Sequence, residues 1–484
     1  MPSASVRLTD LLARLPASTA VVGDRARVLS SLQIDSRRVT IGALFVALKG
    51  EHADGNTFVE HALTRGAAAI VTEVGVSLPQ RQGVTYIYVP NARRALSALA
   101  AAFYGDPSQR MSVVGVTGTN GKTTTTRMVA AMLDAAKRPC GVIGTVGAEL
   151  GERRWPLENT TPLPPELHAI LAEMREAGAQ CAALEVSSHA LALDRVEDVH
   201  FAAAAFTNVS REHLDFHQTM EAYAATKRRL FTMAHAAVLN LDDAHGKQWH
   251  NDIAARVPTL TYALDAPADL HPSHLEVGPG GSHFTLDGAA FEVKLPGRFN
   301  VANALAAIGV ARTLGVTDAV SAHGLASLVR VPGRMEHLRG RNGIDVVIDY
   351  AHTPDALANA LAALRETSSG KLAVVFGCGG DRDRGKRPEM GAVAARGADR
   401  IYITNDNPRS EDPQAIVADI VPGLGEHAYT IELDRRAAIA RAIGDAASGD
   451  VVLIAGKGHE TYQLIGDRVL PFDDAAVARE VLSG

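Results

Sequence analysis

Residues 113–124 read Val-Val-Gly-Val-Thr-Gly-Thr-Asn-Gly-Lys-Thr-Thr, an apolar strand that runs into a glycine-rich turn and then into Lys-Thr at the start of a helix. Glycines let backbone N–H groups converge on phosphate oxygens, and the N-terminus of the next helix adds its positive dipole end. The stretch predicts a cradle for the phosphates of ATP over Gly118, Thr119, Asn120, Gly121, Lys122, Thr123 and Thr124. Lys122 reaches the β- and γ-phosphates in this reading, with the Thr123 hydroxyl on Mg²⁺. Val116 stands where the usual spacing has its first glycine, with Gly115 and Gly118 on either side. A plain strand-to-helix turn is the alternative for any glycine loop. Gly-Lys-Thr directly after an apolar strand tips the balance to phosphate.

Outward from the loop, apolar runs at Ala182–Val186, Ala203–Thr207 and Ala236–Asn240 alternate with helical patterns, the rhythm of βαβ units on a parallel sheet. Before it, short β-rich runs (Leu44–Leu48, Ala68–Val71, Tyr86–Val89) surround a helical stretch near Phe58–Thr64, and a helix over Ala92–Phe103 leads into the loop strand. Gly278-Pro-Gly-Gly-Ser282 marks a turn or loop. After Gly333 the rhythm restarts, with strands at Val346–Asp349, Leu372–Phe376, Arg400–Thr404 and Val451–Ala455 between alanine-rich helices. The fold class expected is α/β in three domains: a small N-terminal α/β domain over 1–90, a central P-loop domain on a parallel sheet over 91–336, and a Rossmann-like α/β domain over 337–484.

The chain has 484 residues, more than one hydrophobic core supports, which agrees with several domains. A hydrophobic fraction of 46% with 21% charged residues is that of a globular protein. The formal net charge of −6 offers no basic field, so no nucleic-acid or membrane partner is expected. Cys140, Cys181 and Cys378 are too few and too scattered for a disulfide framework or a metal site. Asp10 and Arg14 interrupt the N-terminal apolar residues, and no stretch reaches the ~20 apolar residues that span a bilayer. A cytoplasmic location follows as the expectation.

Further along, Glu185-Val-Ser-Ser-His189, Phe206-Thr-Asn-Val-Ser-Arg-Glu-His-Leu-Asp-Phe-His217, Gly297-Arg-Phe-Asn-Val-Ala-Asn303, Asp349-Tyr-Ala-His-Thr-Pro354 and Gly456-Lys-Gly-His-Glu460 follow the loop in order. With Gly-Thr-Asn-Gly-Lys-Thr, this series resembles the Mur ligases, the ATP-dependent amide-forming enzymes of peptidoglycan assembly. The likeness spans all three domains and is nearest to the branch that adds the third residue of the peptide stem. It implies that a substrate carboxylate is activated as an acyl phosphate, which an incoming amine displaces. Charge builds on phosphoryl oxygens in both steps, so catalysis is mainly positioning and electrostatic stabilisation.

Glu185 ends an apolar strand, where parallel sheets place ligands and a hard oxygen donor suits Mg²⁺. By resemblance His213 holds a second Mg²⁺, and Lys227, in Lys-Arg-Arg-Leu-Phe231, is carbamylated by carbon dioxide into an acid that helps hold the metal. Taken alone, Lys227 would be a helix-surface cation and His213 a loop histidine; His217 is left as one. Asn300 and Asn303 open an apolar helix, where capping and adenine recognition are alternatives, and resemblance tips Asn300 to adenine. Arg334 and Asp349 look like the family's γ-phosphate and ribose contacts.

The same resemblance supplies the other substrates. Asn159, Thr160, Thr161, Ser187 and Arg195 hold a UDP-muramoyl dipeptide, with Ile34, Ser36, Glu51, His52 and Ala53 forming the uridine-diphosphate pocket. Asp406-Asn407-Pro408-Arg409 is the segment that accompanies meso-diaminopimelate, completed by Arg387, Gly456 and Glu460. The physics agrees, since diaminopimelate has a second carboxylate that a guanidinium binds bidentately, whereas lysine offers an ammonium that Arg409 repels. The remaining expectations are two Mg²⁺ sites, small-molecule partners only, and a monomer. The rivals are a lysine-adding or other Mur or folylpolyglutamate-type ligase, against which Asp406–Arg409 and Asn159–Pro162 argue, a non-catalytic nucleotide switch, and an oxidoreductase reading of Gly377-Cys-Gly-Gly380, at which Gly-x-Gly-x-x-Gly is absent.

Overall fold

A computed structural model describes residues 5–50, 53–278, 280–340, 343–368 and 370–483. Glu51 and His52, expected in the uridine-diphosphate pocket, and Pro279 of the expected turn lie outside the described residues. The chain folds into two compact units: 1–115, 138–204 and 229–235 form one, and 116–137, 205–228 and 236–484 form the other.

In the first unit, a five-stranded sheet runs in the order Ala20–Val22, Thr85–Val89, Ala69–Glu73, Ala43–Val46, Ser31–Gln33, parallel except at its first pair. Both faces are covered, so its strands read as continuous apolar runs. Leu44 and Val46 enter one core with the helix Ala92–Phe103, while Phe45 enters the other with the helix Val59–Thr64. The same unit carries strands in the order Arg153–Trp155, Gly147–Leu150, Cys140–Gly144, Cys181–Glu185, followed by the opening residues of Ser112–Thr117 and Phe201–Phe206.

In the second unit, the closing residues of Ser112–Thr117 and Phe201–Phe206 are followed by the parallel pair Ala237–Asn240 and Thr259–Tyr262. A three-stranded antiparallel sheet, Ser273–Gly278, Gly281–Leu286 and Ala289–Val293, comes next. Asp287 and Gly288, at φ +50° and +84°, make the two-residue turn between its last two strands. Asp-Gly between alternating apolar residues is a hairpin signal. Phe284 stacks on its cross-strand partner Phe291 at 5.3 Å.

The last sheet of this unit runs Glu336–Arg339, Asp345–Asp349, Val451–Ala455, Leu372–Phe376, Arg400–Ile403, Tyr429–Ile431, and only its first pairing is antiparallel. Val374 and Phe376 face the core shared with the helices Pro354–Thr367 and Lys386–Gly397, and Ala373 and Val375 face the core shared with Arg435–Gly444. The chain therefore changes faces on its way back to Val451–Ala455, which lands between two strands already laid down. Such a reversal opens a crevice at the carboxyl ends of the strands, where open α/β sheets bind ligands. Among the described residues no helix is long and apolar enough to cross a membrane.

Candidate active site

The loop after Ser112–Thr117 is built by backbone geometry. Gly118 and Gly121 take φ +152° and +87°, and a Cβ at Gly121 would collide with Asn303 Oδ1. Asn208 fixes the loop from outside: its carbonyl accepts the Thr119 N–H at 2.8 Å and its Oδ1 accepts the Asn120 N–H at 3.0 Å. Thr124 is buried in the first turn of the helix Lys122–Ala135, which has Gly121 as N-cap and no capping side chain, the form of helix start that suits an anion. Lys122 Nζ donates to the Gly118 and Thr119 carbonyls at 2.9 and 2.7 Å, and Arg334 Nη2 donates to Thr123 Oγ1 at 3.0 Å. Val116 is a buried strand residue, and Gly118 takes the backbone role in the turn.

Asn300 and Asn303 are both buried in the first turns of the helix Arg298–Thr313, and neither is its cap, which is Gly297. Asn300 donates to the Pro296 carbonyl at 2.7 Å and accepts from Asn303 Nδ2 at 3.1 Å. Asp349 accepts the Met335 N–H at 2.8 Å, and burial raises its carboxyl against the pull of Arg334. Arg334 lies 4.5 Å over the Tyr350 ring.

Lys227 is the least expected feature. A residue that looks like a helix-surface cation is 1% exposed, with Nζ 2.8 Å from the Gly118 carbonyl and 4.4 Å over the Tyr223 ring. Burial, helped by Lys122 and opposed by Glu212, pushes its ammonium well below the usual lysine range. Burial likewise brings His213 down to about 4, which leaves the imidazole with a lone pair to offer a metal. His217 packs against Phe216 and Tyr223, as a core histidine does.

Next to His213, Glu212 is buried and accepts from His352 Nε2 at 2.7 Å. Burial opposes its charge, yet His213, the His352 hydrogen bond and Lys386 hold its carboxyl well below the ordinary range. Glu212, His213, Tyr350, His352, Lys386, Asp406, Asn407, Arg409, Gly456 and Glu460 line one pocket of about 200 Å³ at the carboxyl ends of the last sheet. Pro408 is buried in the same loop, and its carbonyl abuts Gly380. Side chains of both signs converge there, the lining a zwitterion needs. Arg387 is behind this pocket, fully buried, its guanidinium spent on Glu411, Asp419 and the Gly379 carbonyl. Glu212, Tyr350, His352 and Lys386 were not singled out from sequence, although three of them stand inside the quoted motifs.

In the first unit, Thr160, Thr161, Ser187 and Arg195 come together around Glu185. Thr145 donates to both Glu185 oxygens, N–H to Oε1 and hydroxyl to Oε2, each at 3.0 Å. Thr145 and Thr160 hydroxyls are 3.2 Å apart, Thr161 Oγ1 donates to the Glu185 carbonyl and accepts the Ser187 N–H, and Arg195 donates to the Thr161 carbonyl at 3.0 Å. Asn159 sits on the adjoining bend. Ile34 and Ser36 lie at the end of the five-stranded sheet, where Asp35 caps a short turn and Ser36 Oγ is 2.9 Å from His61 Nδ1; Ala53 is exposed. Among the described residues no three His, Cys, Asp or Glu side chains form a ready metal site.

Three family models match the chain: the Mur ligase catalytic domain over residues 28–104, the Mur ligase middle domain over 116–311, and the Mur ligase glutamate ligase domain over 333–458. A UDP-N-acetylmuramoyl-L-alanyl-D-glutamate–2,6-diaminopimelate ligase of Geobacillus thermodenitrificans is 44% identical, over 98% of this chain and 99% of its own. The chain belongs to the Mur ligase family. A relative of the same name in Chlorobaculum tepidum is 45% identical over 95% of this chain and 94% of its own. A solved structure of a ligase of that name superposes with a TM-score of 0.69 at 35% identity, covering 99% of each chain. This Mur ligase has the family's three α/β domains, with a parallel sheet in the central one.

Proposed function

We propose that the chain is an ATP-dependent ligase that joins 2,6-diaminopimelate to UDP-N-acetylmuramoyl-L-alanyl-D-glutamate in peptidoglycan synthesis. The observation that carries this reading is the pocket in which Asp406, Asn407, Arg409 and Glu460 share walls with Glu212 and His213. Near full-length identity to ligases bearing that name supports it. The γ-phosphoryl of ATP passes to the glutamate carboxylate, and the amine of diaminopimelate then displaces phosphate, forming the amide and releasing ADP and phosphate. Lys122 and the helix N-terminus hold the phosphates, and Arg334 steadies the Thr123 hydroxyl beside the γ-phosphate. Asn300 and Asp349 take adenine and ribose. Asn159, Thr160, Thr161, Ser187 and Arg195, with Ile34, Ser36 and Ala53, hold the UDP-muramoyl dipeptide. Arg409 binds the far carboxylate of diaminopimelate and Arg387 supports that end from behind. Domain limits at 1–90, 91–336 and 337–484 assign these tasks in turn to uridine diphosphate, ATP and the amino acid.

The donors present suit Mg²⁺, which would supply charge neutralisation on the transferring phosphoryl group. In this reading Thr123 and Glu185 would serve as Mg²⁺ ligands, and the imidazole of His213 would hold a second ion. Lys227 joins them: carbon dioxide added to its buried amine would give a carbamate, a further acid ligand. The setting is the cytoplasm, the working form a monomer, and the product serves cell-wall growth and division.

Phosphate release with UDP-muramoyl dipeptide and either meso-diaminopimelate or lysine tests the reaction. Release that depends on diaminopimelate is expected; release without any amino acid, or preferring lysine, would sink the assignment. For Lys227, intact mass should show one added carbon dioxide, and acetate should restore turnover to Lys227→Ala. Absence of both the added mass and the rescue would refute the carbamate.

A further inference from the structure

Lys457, inside Gly456-Lys-Gly-His-Glu460, is one of the largest fully buried side chains, with 0% exposure. It follows the strand Val451–Ala455, at the crevice where the pocket opens. Its ammonium donates to Glu460 Oε2 at 3.0 Å and to Asn407 Oδ1 at 3.1 Å. Asn407 Nδ2 in turn donates to the same Glu460 Oε2 at 2.9 Å, closing a triangle of three polar side chains. The Tyr462 ring lies 5.5 Å from the ammonium.

The triangle decides what faces the pocket. Asn407 Oδ1 already receives Lys457 Nζ and the Leu464 N–H at 2.9 Å, so its amide is oriented with nitrogen towards Glu460. With Oε2 taken twice, Glu460 presents Oε1, whose partner is the Tyr350 hydroxyl at 3.5 Å, a weak bond at the limit of contact. Asn407 and Glu460 line the pocket; Lys457 does not. Lys457 therefore reaches the ligand only through them. Glu460 is only partly buried, and Lys457 and Asn407 are what hold its Oε2, so removal of Lys457 frees the carboxylate to turn.

We propose that Lys457 is the positioning residue for amino-acid selection, holding Glu460 Oε1 as an acceptor for an ammonium and Asn407 Nδ2 as a donor for a carboxylate. This deepens the proposed function and rests on it. A charged hydrogen bond lost behind a binding group costs roughly 10- to 100-fold in apparent affinity. The test compares wild type, Lys457→Met and Lys457→Gln in phosphate release, with diaminopimelate, ATP and UDP-muramoyl dipeptide varied in turn. Lys457→Met should raise KM for diaminopimelate roughly 10- to 100-fold and leave KM for ATP within about twofold. Lys457→Gln, which keeps a donor, should fall between. Glu460→Gln added to Lys457→Met should cost nothing further, because the carboxylate is already misplaced.

Equal changes in KM for ATP and diaminopimelate, or strictly additive effects of the two substitutions, would overturn the proposal. So would an unchanged diaminopimelate KM in a variant whose melting temperature falls, the result of a purely structural lysine. If Lys457→Met does not fold by circular dichroism, Lys457→Gln carries the same comparison. A wild-type chain that releases no phosphate with diaminopimelate would refute the functional reading itself, and this inference with it.

Discussion

Arg409→Ala isolates the group assigned to the far carboxylate of diaminopimelate. Arg409 stands at φ +52°, held there by backbone bonds to Leu464 and Gly466. Its Nη1 donates to the Gly380 carbonyl at 2.9 Å and to the Asn407 carbonyl at 3.4 Å, and burial lowers the guanidinium from its usual range with Arg382 adding to the effect. The rest of the planar fork is left for a carboxylate in the pocket. Each hydrogen bond to a charged group contributes about 1.5–3 kcal/mol, so a bidentate pair is about 3–6 kcal/mol. At about 1.4 kcal/mol per decade, kcat/KM for diaminopimelate should fall roughly 10²- to 10⁴-fold. The assay is phosphate release at saturating ATP and UDP-muramoyl dipeptide, with KM for ATP measured beside it. Arg409→Gly serves as a companion: it removes the same guanidinium but relieves the left-handed backbone by about 1 kcal/mol, so it should melt above Arg409→Ala with the same kinetic loss. A loss shared equally with ATP, or a diaminopimelate KM that does not move, would refute the reasoning.

Three further outcomes follow from the structure. Gly121→Ala must hold a Cβ at φ +87° against Asn303 Oδ1 and should cut kcat/KM for ATP roughly 10²-fold by displacing the loop, whereas Gly444→Ala, with open space around it, should be neutral in the same assay. His168 is fully buried with neither ring nitrogen bonded among the described residues, and burial, with His200 adding to it, lowers it to about 3 from 6.5. The unfolded chain therefore binds a proton that the fold refuses between those values, so stability should fall as pH drops through that window, by up to about 1.4 kcal/mol per unit from this group. His168→Met should flatten that limb in denaturant titrations; an unchanged slope contradicts the account. Asp474→Ala strips the counter-ion from Arg435, both fully buried and 2.8 Å apart, and should cost about 3–5 kcal/mol in the unfolding of the unit that contains the last sheet, read by its urea midpoint.

How far the site could be read along the chain depended on whether a residue's task is local. The loop Gly118–Thr123 was legible because a phosphate cradle is made by consecutive backbone groups, and the strands of the last sheet were legible because burial on both faces leaves unbroken apolar runs. The hairpin at Asp287-Gly288 is equally local, since Asp-Gly supplies both positive-φ residues of its turn. For Asn300 and Asn303, capping and adenine recognition were both open by position; the cap is Gly297, and the two side chains form a buried amide pair with Asn303 against Gly121. Lys227, Glu212 and Lys457 gave no local sign at all. An amphipathic pattern treats a lysine as solvated, and only the neighbours packed around Lys227 from distant segments make it a buried amine.

By itself, the sequence determined the α/β class, the phosphate loop and the order of motifs that the family shares, since each is written in contiguous residues whose periodicity or backbone demands are local. Only the tertiary structure decided that the returning strand Val451–Ala455 opens a crevice, that Arg387 stands behind its wall while Arg409 lines it, and that Lys457 orients Glu460 and Asn407. These are properties of burial and of which carboxyl ends meet, and they arise only when segments far apart in the chain exclude water from one another.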